Sequence, residues 1–247
     1  MKHFIVTRFH YSPDLKTVDA GLKRNFLGRS KMEPKAYVQH RIRLFKQYTR
    51  PSIQAQSCQN FEWLILGNPD VDIPGARFFG EKCAAPLPTT MTTAYMDYIK
   101  EIADEDELIL MTRFDNDDIM MPTYIEHMQQ AAKSPGLYEF LGYRLDIRNR
   151  KFYEDTVHHK ECTSPFTTLA SRASDLQNVY ACNHSKMWKQ YPLTIINKRE
   201  WVQVIHKSNW VLNRCNPIVT ARKGKHIPIH QFVRGLMQPC HPPGRKV

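Results

Sequence analysis

At 247 residues, with 42% apolar and 24% charged positions, the chain has the size and balance of one large α/β domain, or two small ones, around a real core. No apolar run nears the roughly 20 residues a membrane helix needs, and "FIV" near the start is too short for a secretory signal core; both point to the cytoplasm. The formal net charge of +11 sits at the two ends: +9 over 1–60, −6 over 61–198 and +8 over 199–247. Such ends suit nucleic acid, an anionic membrane face or a phosphorylated small molecule, but no helix-turn-helix, zinc-finger or RNA-recognition pattern accompanies them. The six cysteines, at 58, 83, 162, 182, 215 and 240, form no C-x-x-C pair and read as free thiols.

In chain order, "KHFIVTRF" (2–9) predicts a first strand, and 13–35 a long basic loop. Residues 34–56 predict a helix with Tyr37, Val38, Ile42 and Phe45 at compatible spacing, interrupted at Pro51; Arg41 and Arg43 read as its solvated face rather than as phosphate contacts. "FEWLILG" (61–67) and "ARFFG" (76–80) predict strands, Thr89 to about Ala103 a helix with Tyr95, Ile99 and Ile102 on one stripe, and "ELILMTR" (107–113) a buried strand. This alternation implies a parallel, Rossmann-type sheet with crossover helices, whose ligands bind beyond the carboxyl ends of the strands. Beyond 135 a hairpin turns near Asn149, a polar loop "HHKECTSPFTTLASRA" follows, and "REWVQVIHKSNW" forms an amphipathic segment, read as helical, that carries His206. The tail from Pro217 is basic and Pro-rich. Neither G-x-G-x-x-G nor G-K-[ST] occurs, so no dinucleotide fingerprint or P-loop is present.

The acids sit where the buried strand ends: "RFDNDDIMMP" places Asp115, Asn116, Asp117 and Asp118 directly after "LILM". Like charges so crowded need a reason. One reading makes them the N-cap of the helix expected in "MPTYIEHMQQAAK". The other makes them ligands of a hard divalent cation, Mg²⁺ or Mn²⁺, whose shell phosphate oxygens complete. Thr7 and Arg8 lie at the equivalent end of the first strand.

Here a resemblance enters. "RIRLFKQYTRPSIQAQSCQNFEWLIL" (41–66), "TRFDNDDIM" (112–120), "VTRF" (6–9), "SPFTTLASR" (164–172) and "WVQVIHKSN" (201–209) resemble the "putative rhamnosyltransferase" family of GT-A-type glycosyltransferases. The resemblance implies a GT-A-like mixed sheet flanked by helices, with a nucleotide-sugar-binding part over 1–134 and an acceptor-side part of the same domain over 135–247. It implies a transferase moving a sugar, rhamnose by the family's label, from a nucleoside-diphosphate sugar to a hydroxyl of a glycan, lipid or protein. In its D-x-D motif, Asp115 would face the donor and Asp117 would be the principal ligand of Mn²⁺ or Mg²⁺. Asp118 would share that role or cap the following helix, and His206 would complete the shell, with His184 a second choice. Thr7, Arg8 and Arg113 would contact the donor. Asp155, Glu161 and Asp175 are candidates for a general base, and stereochemistry stays open. Two other classes compete: a nucleotidyltransferase on sugar phosphates, which would carry a Gly-rich loop where "TRFHYSPDL" has no glycine, and a non-catalytic nucleic-acid-binding module motivated by charge alone, ranked last.

Overall fold

The structure is a computed structural model describing residues 1–9, 34–68, 73–82, 89–148, 151–155, 166–180 and 187–206. Its strands are β1 (Lys2–Arg8), β2 (Glu62–Asn68), β3 (Ala76–Lys82), β4 (Leu108–Asp115), β5 (Ile119–Met120), β6 (Gly136–Asp146), β7 (Lys151–Asp155), β8 (Thr167–Arg172) and β9 (Leu193–Ile205). Its helices are α1 (Pro34–Leu44), α2 (Arg50–Gln54), α3 (Thr89–Ile102) and α4 (Tyr124–Ala131). The strands form one mixed sheet in the order β3-β2-β1-β4-β8-β6-β9-β5, with β7 on β6. β1 through β4 pair in parallel, β8 runs antiparallel to β4 and β6, and β9 runs parallel to β6 and antiparallel to β5. The Rossmann-type mixed sheet flanked by helices expected from the sequence is therefore present, and it runs without a break across residue 135.

β1 and β4 are buried on both faces, which is why they read as unbroken apolar runs. One face packs Ile5, Ile65, Leu110 and Phe114 against Phe45, Ile53, Tyr124 and Met128 of α1–α2 and α4. The other packs Phe4, Val6, Leu64 and Met111 against Tyr95 and Ile99 of α3. Gly67 closes β2 at φ 107°, where a Cβ would stand 2.4 Å from the Phe9 carbonyl oxygen, so the crossing of these two segments requires glycine.

Three elements differ from the sequence-based expectation. The helix does not stop at Pro51: a π-helical turn over Phe45–Thr49, with the Arg50 amide bonded to the Phe45 carbonyl, shifts the ladder just ahead of the proline, and α2 carries it as its second residue. The polar loop contains β8, a central strand; its threonines are buried because Thr167 donates to Glu139 (2.9 Å) and Thr168 shares a 2.6 Å bond with Thr112. "REWVQVI" is the end of β9, not a helix, and His206 follows it directly.

Pairing order also explains the shape of the sheet. Only Asn116–Asp118 separate β4 from β5, yet β8, β6 and β9 lie between them. The sheet must curl to bring its far end back beside β4. Among the described residues no helix is long and apolar enough to cross a membrane. Cys58 is a free thiol; the other five cysteines, Glu161, His184 and the tail from Pro217 lie outside the described residues.

Candidate functional site

The curl sets the DNDD turn against the end of β9. Asp118 turns inward, is 2% exposed, and accepts the Val204 backbone N–H at 2.7 Å, while its carbonyl accepts the Thr49 hydroxyl at 2.9 Å. Burial, with the charges of Asp117 and Asp115 beside it, pushes the Asp118 carboxyl well above the usual carboxylate range. It caps no helix: α4 begins after Thr123, which makes no side-chain cap and gives its hydroxyl to Glu200. Behind the turn, the Ser52 hydroxyl accepts the Met120 N–H, the Gln56 side-chain amide donates to the Met121 carbonyl, and the Gln56 side-chain oxygen accepts the Ile125 N–H. The stretch around the π-turn is thus a scaffold for the acids.

Asp117 faces the other way, toward α1. Its Oδ2 takes both the Arg41 guanidinium and His206 Nε2, the latter at 2.7 Å, and Arg41 also reaches the Asn116 side-chain oxygen. Burial alone would raise the Asp117 carboxyl; Arg41 and His206 hold it below its ordinary value. His206 Nδ1 meets His40 Nε2 at 3.3 Å. Burial, reinforced by His206 and Arg41, brings His40 down to about 4, so it is neutral at pH 7.

On the opposite face, at the carboxyl ends of β1 and β4, Arg8 and Arg113 share the ring of Tyr180, their Cζ atoms 4.2 and 4.9 Å from its centroid. The Tyr180 hydroxyl donates to the Val6 carbonyl at 2.8 Å, and burial pushes it up to about 12, so the ring stays a neutral phenol. The buried Nε atoms of both arginines find no hydrogen-bond partner among the described residues, and Asp115 Oδ1 lies 3.9 Å from Arg113 Nε, an ion pair beyond hydrogen-bond distance. Asp115 pairs with Arg8 in the ladder and is the one acid of the motif with a substantially open side chain, 32% exposed. Two guanidinium groups beside an open carboxylate have the chemistry to bind an anion that also carries hydroxyls.

The structure therefore gathers Arg8, Arg113, Asp115, Asp117, Asp118 and His206 around one end of β1 and β4, the point where strand order reverses. Thr7 is not open to a ligand: it is fully buried and accepts the Trp63 indole N–H at 3.0 Å. Asp175 lies beyond Arg172, which pairs with Leu108 at the start of β4, so it stands at the opposite end of the sheet. Asp155 ends β7 opposite Gly142, on the strand attached to the side of β6. Arg41 corrects its sequence-based reading as a solvated residue; Arg43 is exposed as expected. Arg41 falls between Val38, Ile42 and Phe45 on the spacing that faces a core, and that was the available signal. Asn116, His40 and Tyr180 carried none.

Two side chains here have the chemistry to take part in holding a divalent cation. Among the described residues no group of three or more His, Cys, Asp or Glu side chains is placed to hold a metal ion, and one oxygen of Asp118 is taken by the Val204 N–H. Asp117 Oδ2 and His206 Nε2, hydrogen-bonded to each other at 2.7 Å, are the two groups that could hold such an ion. A carboxylate and an imidazole, completed by substrate phosphate and water, fit Mn²⁺ or Mg²⁺.

Crystal structures of S. aureus TarS 1–349 are similar at 9% identity: one, with a TM-score of 0.42, covers 83% of this chain and 60% of that one, and one in complex with UDP, with a TM-score of 0.43, covers 83% and 61%. The chain thus spans about three fifths of the TarS chain it matches. A "putative nucleotide-diphospho-sugar transferase" from Desulfovibrio desulfuricans G20 is similar at 11% identity and a TM-score of 0.40, over 96% of this chain and 97% of that one. No curated protein sequence matches. The family described as "Putative rhamnosyl transferase" matches residues 6–214, and the chain belongs to that family.

Proposed function

We propose that this chain is a glycosyltransferase whose donor is a nucleoside-diphosphate sugar lying over the carboxyl ends of β1 and β4. The observation that carries the reading is the pairing of Arg8 and Arg113 on one tyrosine ring, beside the open Asp115 carboxylate, at the point where strand order reverses. Family membership supports it. In this reading Arg8 and Arg113 hold the diphosphate, Asp115 accepts from a ribose or sugar hydroxyl, and Asp118 keeps the turn in register. Mn²⁺ or Mg²⁺, held by Asp117 and His206, would supply positive charge to the leaving diphosphate as the glycosidic bond breaks. Residues 1–134 form the donor side and 135–247 the acceptor side, with the end of β9 reaching back to the donor. The acceptor is a hydroxyl of a glycan, lipid or protein, and rhamnose is the sugar suggested by the family description.

The test is thermal unfolding with UDP, dTDP, GDP and CMP, each with and without Mn²⁺. A matched nucleotide at about a hundred times its dissociation constant stabilises by about 2.7 kcal/mol, or about 5–10 °C for a chain of this length. That rise, dependent on Mn²⁺ and lost in Asp117→Ala, is the expected result. A cooperative melt that no nucleotide moves would overturn the proposal.

A further inference from the structure

We infer that the Arg41 guanidinium and a divalent cation are mutually exclusive on Asp117 Oδ2, so that α1 must release the DNDD turn before the cation binds. This rests on the cation-binding part of the function proposed above and adds a competing residue to it.

Arg41 is positioned as a built-in counter-cation. Asp117 is 4% exposed, and a carboxylate so placed needs a positive partner. One arm of the guanidinium meets Asp117 Oδ2 and the other the Asn116 side-chain oxygen, a fork across two successive residues of the turn. The oxygen it takes is the one His206 Nε2 also contacts, and therefore the one that a cation shared by Asp117 and His206 would use. A guanidinium and a divalent ion on one oxygen would repel strongly in so dry a setting. The preceding residue, His40, touches the other ligand, so one turn of α1 contacts both members of the donor pair. The turn is thus held in shape in the absence of metal by the group the metal must displace.

The experiment is a titration with Mn²⁺ alone, following the electron paramagnetic resonance signal of the free ion, on the intact chain and on Arg41→Gln and Asp117→Asn. Competition predicts that Arg41→Gln binds Mn²⁺ about tenfold or more tightly than the unaltered chain, the size of change expected when a like charge is removed from beside the ion, and that Asp117→Asn loses binding. Equal or weaker binding by Arg41→Gln would overturn the inference. Should that variant not fold, hydrogen exchange of the unaltered chain decides: saturating Mn²⁺ should speed exchange over 34–44, whereas unchanged or slower exchange there overturns it. If no form binds Mn²⁺ the inference fails outright, and a rise in melting temperature with a nucleotide in EDTA would show that the transferase reading survives without it.

Discussion

Replacing Asp118 by alanine removes the acceptor of the Val204 N–H, a 2.7 Å bond at a residue only 2% exposed. The amide then loses its carboxylate partner in a buried setting, at a cost of about 1–3 kcal/mol. Each kcal/mol moves the melting temperature of a chain of this length by about 2–4 °C, so a loss near 2 kcal/mol lowers it by about 4–8 °C. Asp118→Asn keeps an oxygen for Val204 and removes a carboxyl crowded by Asp117 and Asp115, so its melting temperature should stay within about 2 °C of the unaltered chain or rise. Thermal melts at pH 7 read the stabilities, and the Mn²⁺-dependent nucleotide shift reads the site. Asp118→Asn should retain that shift and Asp117→Asn should lose it. An Asp118→Asn chain that melts normally yet loses the shift as completely as Asp117→Asn would make Asp118 a ligand and refute its assignment as a structural clasp.

Two further outcomes test other parts of the argument. Arg113→Ala should weaken nucleoside diphosphate binding by about 10- to 100-fold, as expected for one charged hydrogen-bonding partner, while binding of the corresponding nucleoside falls far less; isothermal titration with both would expose an equal loss and so remove the phosphate role. His3 is buried on β1, bonded to the Thr112 hydroxyl at 2.7 Å, and burial lowers it to about 3. Its folded value lies below its ordinary 6.5, so its contribution to stability is complete above pH 6.5 and is lost progressively as pH falls toward 3. Urea midpoints measured from pH 7 to 4.5 should therefore decline in the unaltered chain and less so in His3→Gln; parallel declines would show that His3 does not carry the acid sensitivity.

The parallel half of the fold was legible because its strands are buried on both faces and so announce themselves as apolar runs: β1, β2 and β4 fall within two residues of their expected bounds. β8 was hidden because its buried side chains are threonines that satisfy one another and Glu139, and nothing in "SPFTTLASR" signals those partners. The acids were legible as a cluster but not as a division of labour. That Asp118 serves β9 and Asp117 serves α1 depends on contacts between residues 86 and 76 positions apart. His206 was reachable from resemblance alone, and for a structural reason different from the expected one, since it ends a strand and not a helix. Arg41 was misread because two arginines flanking Ile42 look alike in sequence, while only one lies on the inward spacing.

The meeting of Asp117 with His206 follows from strand pairing more than from either residue. β5 is two residues long and pairs Ile119 with Val202 and Met120 with Trp201. That register sets the Val204 amide against Asp118 and leaves His206 the first residue beyond β9. A slip of one residue would invert the facing of every β9 side chain, presenting Ile205 or Lys207 to Asp117 and turning the Val204 N–H away. The register is pinned from the far side as well. Trp201 lies over Gly142, where a Cβ would stand 2.2 Å from the indole, and its N–H donates to the Phe140 carbonyl at 2.8 Å. A large aromatic fitted to a glycine cannot move along the sheet by one step. The chemistry at the DNDD turn is therefore aligned by a Trp–Gly contact in the core, which ties the precision of the site to packing that no ligand touches.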